Sequence, residues 1–128
     1  MSERIAVAIE ELENNRQIIP YEIGKCSKFI VCEIAGDKSI IEKEIYFNPL
    51  LGESSSASQL PEYLKQFKIN VLITGEMGQQ IIKKFLKHKI IVLSAPGLGF
   101  NQALALYLNK KSEMNKSYNY YKQIIEYL

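Results

Sequence analysis

Two stretches of the chain decide its fold: residues 69–86, INVLITGEMGQQIIKKFL, and residues 90–108, IIVLSAPGLGFNQALALYL. In each stretch, a run rich in β-branched residues ends at a glycine-containing turn that leads directly into an amphipathic segment. This layout is typical of parallel strands joined by helical crossovers, with the turns at the carboxyl edge of the sheet. Because helix N-termini and free backbone N–H groups converge at that edge, the sequence predicts a ligand site there.

The composition indicates one soluble globular domain. The chain has 128 residues, of which 47% are hydrophobic and 23% are charged, which is enough for one core and too little for two domains. The formal net charge of +2 is too small to indicate nucleic acid or an anionic membrane surface as a partner. The chain has no apolar run long enough to span a membrane, and its start, MSERIAVAIE, does not resemble a signal peptide.

The two cysteines indicate a reducing compartment. Cys26 and Cys32 are six positions apart, too far for a disulfide if both lie along one extended strand. They form no pattern with zinc-site spacing. We therefore expect free thiols in a cytoplasmic protein.

The N-terminal half predicts three further strands, over residues 4–9, 28–35 and 39–47, with a tight turn at Gly36-Asp37 between the last two. The charged run of residues 42–44 suits a strand at an exposed sheet edge. A helix follows the serine run, with Pro61 expected in its first turn.

The end of the chain predicts an amphipathic helix. Apolar residues recur there at spacings of four and three: Met114, Tyr118, Tyr121, Ile125 and Leu128. Docking of this helix on the domain's own surface is favoured over a dimer seam, because one helix of this length is short for a coiled coil. We expect a monomer or a weak homodimer.

With these elements placed, residues 4–108 resemble the dinitrogenase iron–molybdenum cofactor biosynthesis family. The resemblance rests on RIAVAI, PYEIGKCSKFIV, the Asn-Pro after the third strand, INVLITGEMG and IIVLSAPGLGFNQALALYL, in that order. It implies a three-layer α/β/α, ribonuclease H-like fold with a five-stranded mixed sheet whose second strand is antiparallel. The chain would then consist of a family-like domain over residues 1–110 and a C-terminal amphipathic helix over residues 111–128.

The resemblance also implies a function. Members bind or carry iron–sulfur-based precursors of the nitrogenase cofactor, which makes metallocofactor assembly proteins the expected partners. The site would lie on three loops and contain Glu22, Gly24, Lys25, Cys26, Gly75, Gly78, Gly97 and Gly99. Where the family commonly has a cluster-contacting His, this chain has Glu22. Cys26 is the expected metal ligand, because a thiolate suits iron.

The residues alone leave other interpretations open. Glycines can serve only backbone conformation and close packing, and a free Cys is often simply buried. An enzyme is not favoured, because the chain has one Asp, one His and no Gly-x-Ser-x-Gly motif. The alternatives to a carrier are an interaction or regulatory module that has lost the cofactor, and a binder of a small phosphorylated ligand.

Overall fold

The structure, a computed structural model, describes residues 2–52 and 56–109. Its helices are α1 (Ser56–Lys65), α2 (Gln79–Lys87) and α3 (Phe100–Asn109). Its strands are β1 (Glu3–Glu11), β2 (Gln17–Ile18), β3 (Lys28–Ile34), β4 (Ile40–Phe47), β5 (Val71–Thr74) and β6 (Ile91–Ser94). The helix predicted over residues 111–128 lies outside the described residues.

The strands form one mixed sheet in the order β4-β3-β1-β5-β6, and β2 pairs with β1. β3 runs antiparallel to both of its neighbours, whereas β1, β5 and β6 are mutually parallel. The predicted α/β class, the five main strands and the antiparallel second strand are therefore confirmed. The charged strand β4 lies at an edge of the sheet, as its sequence predicted.

The sheet has one more strand than the five that the resemblance implied. β2 is a two-residue strand whose Ile18 and Gln17 pair with Glu10 and Glu11 at the end of β1. Asn14 and Asn15 make the turn between them at positive φ, which asparagine tolerates better than most residues. A strand of two residues has no periodic pattern, so the sequence predicted only a polar connection here.

The expected position of Pro61 is wrong by one turn. Pro61 is the sixth residue of α1 as the structure describes it, and so it lies inside the helix rather than in its first turn. The serine run misled the prediction, because Ser56 is already helical and serine is also common at the position before a helix.

Two hydrophobic layers lie on opposite faces of the sheet. One layer joins Leu60 and Leu64 of α1 and Phe85 of α2 to the small residues of β1. The other layer joins α3 to the branched residues of β1, β3 and β5. Because β1, β5 and β6 are parallel, their carboxyl ends meet at one edge, and the loops that follow them are placed side by side.

Candidate functional site

Three loops are hydrogen-bonded together at the carboxyl edge. The first loop (residues 19–27) leads to β3, the second (75–78) leads to α2, and the third (95–99) leads to α3. The Glu76 N–H donates to the Tyr21 carbonyl at 3.2 Å, and the Gly97 N–H donates to the Ile19 carbonyl at 2.8 Å. The first loop therefore bonds to both of the others.

Gly75 and Gly97 are explained by packing between these loops. A Cβ atom on Gly75 would overlap the Pro20 carbonyl oxygen, so the first loop can approach only because that atom is missing. Gly97 has a φ of +84°, and a Cβ atom there would lie 2.7 Å from the Tyr21 hydroxyl. Both glycines therefore hold the loops together.

The first and second loops line an open groove of about 510 Å³. Its lining is mostly apolar, with two carboxylates and two glycines: Tyr21, Glu22, Ile23, Gly24, Ala57, Glu76, Met77, Gly78 and Ile81. The backbones of Glu22 and Glu76 also pair as a short parallel bridge. On its other side, the second loop borders a smaller hollow of about 380 Å³ that reaches Val92 and Ser94. The second loop is thus a narrow wall between two concave surfaces.

Gly24 and Gly78 differ from the packing glycines, because a Cβ atom on either would meet nothing within 4 Å. Gly78 has φ −67° and ψ 151°, which any residue can adopt. Neither close packing nor backbone strain therefore explains glycine at these two positions. The missing side chains do leave the wall of the groove open to a ligand.

The N-terminus of α2 lies at this wall, because Gly78 is the residue that precedes the helix. Gly78 precedes the helix without a side-chain hydrogen bond that caps it, and its carbonyl accepts from the N–H groups of Ile81 and Ile82 at 3.1 Å each. The N–H groups of Gln79 and Gln80 precede these two donors, at the end of a helix where backbone N–H groups have no intrahelical acceptor and carry a partial positive charge. Acceptor atoms such as sulfide or an anionic oxygen suit this position.

The charged residues that line the groove are acidic. Glu22 and Glu76 line it, whereas Lys25 is exposed and is not part of the lining. The sequence analysis had placed Lys25 among the residues of the site. The groove therefore combines backbone donors with carboxylates, and carboxylate oxygens are ligands for metal cations.

Cys26 does not line the groove. Its side chain is fully buried, and the thiol donates a hydrogen bond to the Lys28 carbonyl at 3.2 Å. Burial raises the pKa of the Cys26 thiol to about 12. A metal would bind the thiolate, which this environment disfavours, so the first loop would have to open before Cys26 could reach a metal in the groove.

Gly99 also lies apart from the groove. Its N–H donates to the Gln102 side-chain oxygen at 3.0 Å, at the start of α3. A Cβ atom there would make ordinary contacts with Gln102 and with the Gln17 carbonyl. The third loop therefore supports the first loop, and the groove is formed by the other two.

The sequence analysis missed several features of the site. Tyr21 connects the first and third loops, and Met77 and Ile81 supply the apolar lining. The hydroxyl of Thr74 is fully buried and, among the described residues, has no hydrogen-bond partner. Such a group is costly, and here it lies directly before the second loop. The sequence did offer one indication that Thr74 belongs to the site: it is the last residue of a predicted strand and directly precedes a glycine turn.

No group of three or more His, Cys, Asp or Glu side chains in the described ranges is placed to hold a metal ion. None of the helices within those ranges has the length and hydrophobicity needed to cross a bilayer.

The fold and the groove together define a small α/β domain with a candidate ligand site at the carboxyl edge of a mixed sheet. The family model described as dinitrogenase iron-molybdenum cofactor matches residues 3–110. The chain therefore belongs to the dinitrogenase iron-molybdenum cofactor family, as its sequence motifs predicted.

Solved structures support the same fold. PH0822 is 18% identical with a TM-score of 0.67, and the match covers 83% of this chain and 90% of that one. The apo form of the orange protein (ORP) from Desulfovibrio gigas is 21% identical with a TM-score of 0.65, and the match covers 84% and 88%. At these identities the likeness concerns the fold alone. No curated protein matches the chain significantly.

Proposed function

We propose that this protein binds a metal–sulfur cofactor, or a precursor of one, in the groove between the first and second loops and carries it without catalysing a reaction. Membership of the family supports this class of cargo. The observation that carries the proposal is the pair Gly24 and Gly78, which packing does not require and which leave the wall of the groove open. The free, buried cysteines fit a carrier in the reducing cytoplasm.

The residues of the groove suit the two kinds of atom in such a cargo. Sulfides accept hydrogen bonds, and the first-turn N–H groups of α2 are donors placed beside Gly78. Metal ions accept carboxylate ligands, which Glu22 and Glu76 supply. We assign metal binding to these carboxylates rather than to Cys26, because the Cys26 thiol is buried and its pKa is raised to about 12. A carrier must release its cargo to other assembly proteins, so a site with only a few strong metal ligands suits this role.

The test is anaerobic loading of the full chain with ferrous iron and sulfide, and separately with tetrathiomolybdate, followed by desalting. We expect visible absorbance and stoichiometric metal to remain with the protein. Gly78→Val places a branched side chain in the groove and should reduce retained metal at least tenfold. Ala105→Val is the matched control, because Ala105 is exposed on α3, away from the groove, and its substitution should leave loading unchanged.

A second pair of variants tests the carboxylates. Glu22→Gln should weaken metal retention while keeping the shape of the groove, and Glu13→Gln, at an exposed site outside the groove, should not. Loading that is equal in all four variants would show that the metal binds elsewhere and would contradict the assignment of the site.

The alternative is an interaction or regulatory module of the same fold that has lost the cofactor. Glu22 in place of the family's usual His favours it, as does the lack of a three-ligand cluster among the described residues. Such a module would stay colourless and metal-free in the loading experiment while its thermal unfolding remained cooperative.

A further inference from the structure

The outer face of β4 is an apolar surface at the edge of the sheet. Ile45 and Phe47 occupy alternate positions at 52% and 77% exposure, and Ile40, which pairs with Ile34 beyond a β-bulge, lies on the same face at 46% exposure. Lys43 belongs to the same alternation, and its ammonium lies 4.7 Å from the centre of the Phe100 ring, the first residue of α3. These residues therefore face the same side of the sheet as α3. Exposed apolar patches of this kind commonly mark an interface.

The opposite face of β4 is already occupied. The ring of Tyr46 lies 4.2 Å from that of Phe67, which follows α1, measured between ring centres. Among the described residues, therefore, only the face of β4 on the side of α3 is left uncovered.

The chain leaves α3 next to the start of β4. The hydroxyl of Tyr107 donates to the carboxylate of Glu3 at the beginning of β1. Leu108 borders a hollow of about 260 Å³ together with Ile34, Ala35, Gly36 and Lys38, which form the end of β3 and the turn into β4. The described part of the chain therefore ends, at Asn109, near the turn from which β4 runs back to the carboxyl edge.

We propose that residues 112–128 form a helix that packs antiparallel to α3 on the apolar face of β4 in the same chain. The predicted stripe at spacings of four and three supplies the apolar side: Met114, Tyr118, Tyr121, Ile125 and Leu128. A helix over these residues is about 25 Å long, and the eight residues of β4 span about 26 Å. The connection after Asn109 is short, which is typical of antiparallel neighbours.

The helix is expected to come from the same chain rather than from a second copy. A short connection to α3 gives it a very high effective concentration at the face of β4.

The test is a disulfide between the two elements in the full chain. Ile45→Cys combined with Tyr121→Cys should form an intramolecular disulfide under mild oxidation, seen as a faster monomer band on a non-reducing gel and as a loss of two hydrogens in the intact mass. Cys26 and Cys32 are buried and do not compete. Phe47→Cys with Leu128→Cys is a second pair, which keeps the test valid if the first variant folds poorly.

Two matched controls use the same Tyr121→Cys partner. Glu42→Cys lies on the opposite face of β4, and Leu93→Cys lies on the α3 side at the far edge of the sheet. Both should cross-link at least tenfold more slowly than the pair with Ile45. Equal rates in the controls, disulfide-linked dimers, or no disulfide in either main pair would each overturn the proposal.

Discussion

Gly75 and Gly78 are three positions apart in one loop, and only the first is required by the structure. A Cβ atom on Gly75 would meet two backbone carbonyls of the first loop, neither of which can rotate away. At Gly78 the same atom would enter open space at an ordinary backbone conformation. In the sequence the two glycines are indistinguishable, because what separates them is the approach of a loop more than fifty positions away.

We therefore expect Gly75→Ala to be strongly destabilising and Gly78→Ala to be tolerated. Overlap with the Pro20 carbonyl must shift the first loop, at a cost of about 2 kcal/mol or more in unfolding free energy. Gly78→Ala should stay within about 1 kcal/mol of the wild type, because it adds no clash at the start of α2. Urea unfolding of both variants checks this. Similar losses in the two would show that the loops do not approach as described.

The Cys26 thiol gives a prediction about pH. Burial raises its pKa to about 12, whereas the ordinary pKa of a cysteine thiol, which applies in the unfolded chain, is about 9. Between these values the folded state keeps a proton that the unfolded state loses, so this thiol's contribution to stability falls as the pH rises through that window. The slope approaches about 1.4 kcal/mol per pH unit for one such group.

The measurement compares the wild type with Cys26→Ala across pH 8 to 11. The variant loses packing and the hydrogen bond to Lys28, yet its stability should fall less steeply with pH. Native Cys26 should also resist a thiol reagent at pH 8 until the protein unfolds. Rapid labelling of the folded chain would indicate an accessible thiolate and would restore Cys26 as a candidate metal ligand.

Among the elements, α1 is held against β3 and β4 by aromatic side chains. The Tyr63 ring lies 5.4 Å from the ring of Phe67 and 6.2 Å from that of Phe29, and its hydroxyl donates to the Phe47 carbonyl at 3.2 Å. Tyr46 of β4 contacts Phe67 as well. Since α1 also contributes Ala57 to the groove, this cluster positions one wall of the candidate site.

Phe67→Ala should cost about 2 kcal/mol, which is less than for a fully buried Phe because this side chain is half-buried. The loss includes the ring contacts with Tyr46 and Tyr63. Leu51→Ala is the control, because Leu51 is apolar but half exposed and should cost little. Thermal and urea unfolding of the two variants provide the comparison. An equal cost would mean that the cluster does not anchor α1.

The elements also show which features the sequence could predict. Long or β-branched apolar runs mark four of the strands, namely β1, β3, β5 and β6. The glycine turns after β5 and β6 mark the carboxyl edge of the sheet, so the sequence predicted the strands, the parallel direction of β5 and β6, and the edge where their loops meet. β2 was not, because two residues carry no period. For the groove, the sequence predicted the location at the carboxyl edge but not which loop residues line it. That Glu76 lines the groove while Lys25 and Cys26 do not depends on the path of short loops, which local sequence does not specify.

At the scale of the whole molecule, the negative side chains of the groove separate the two kinds of ligand considered for it. A phosphorylated ligand would gain from the N-terminus of α2 but would face the carboxylates of Glu22 and Glu76. A metal–sulfur ligand presents cations to those carboxylates and sulfides to the N–H groups. The same site is therefore expected to discriminate against nucleotides.

We expect the melting temperature to rise on anaerobic loading with iron and sulfide and to stay unchanged with millimolar ATP or ADP. A ligand at about one hundred times its Kd stabilises the native state by about 2.7 kcal/mol, which corresponds to a rise of order 10 °C for a domain of this size. The rise should disappear after metal removal with a chelator, and Gly78→Val should abolish it, because its side chain occupies the groove. Stabilisation by nucleotide with none by iron and sulfide would instead assign the groove to a phosphorylated ligand, with the backbone donors outweighing the carboxylates.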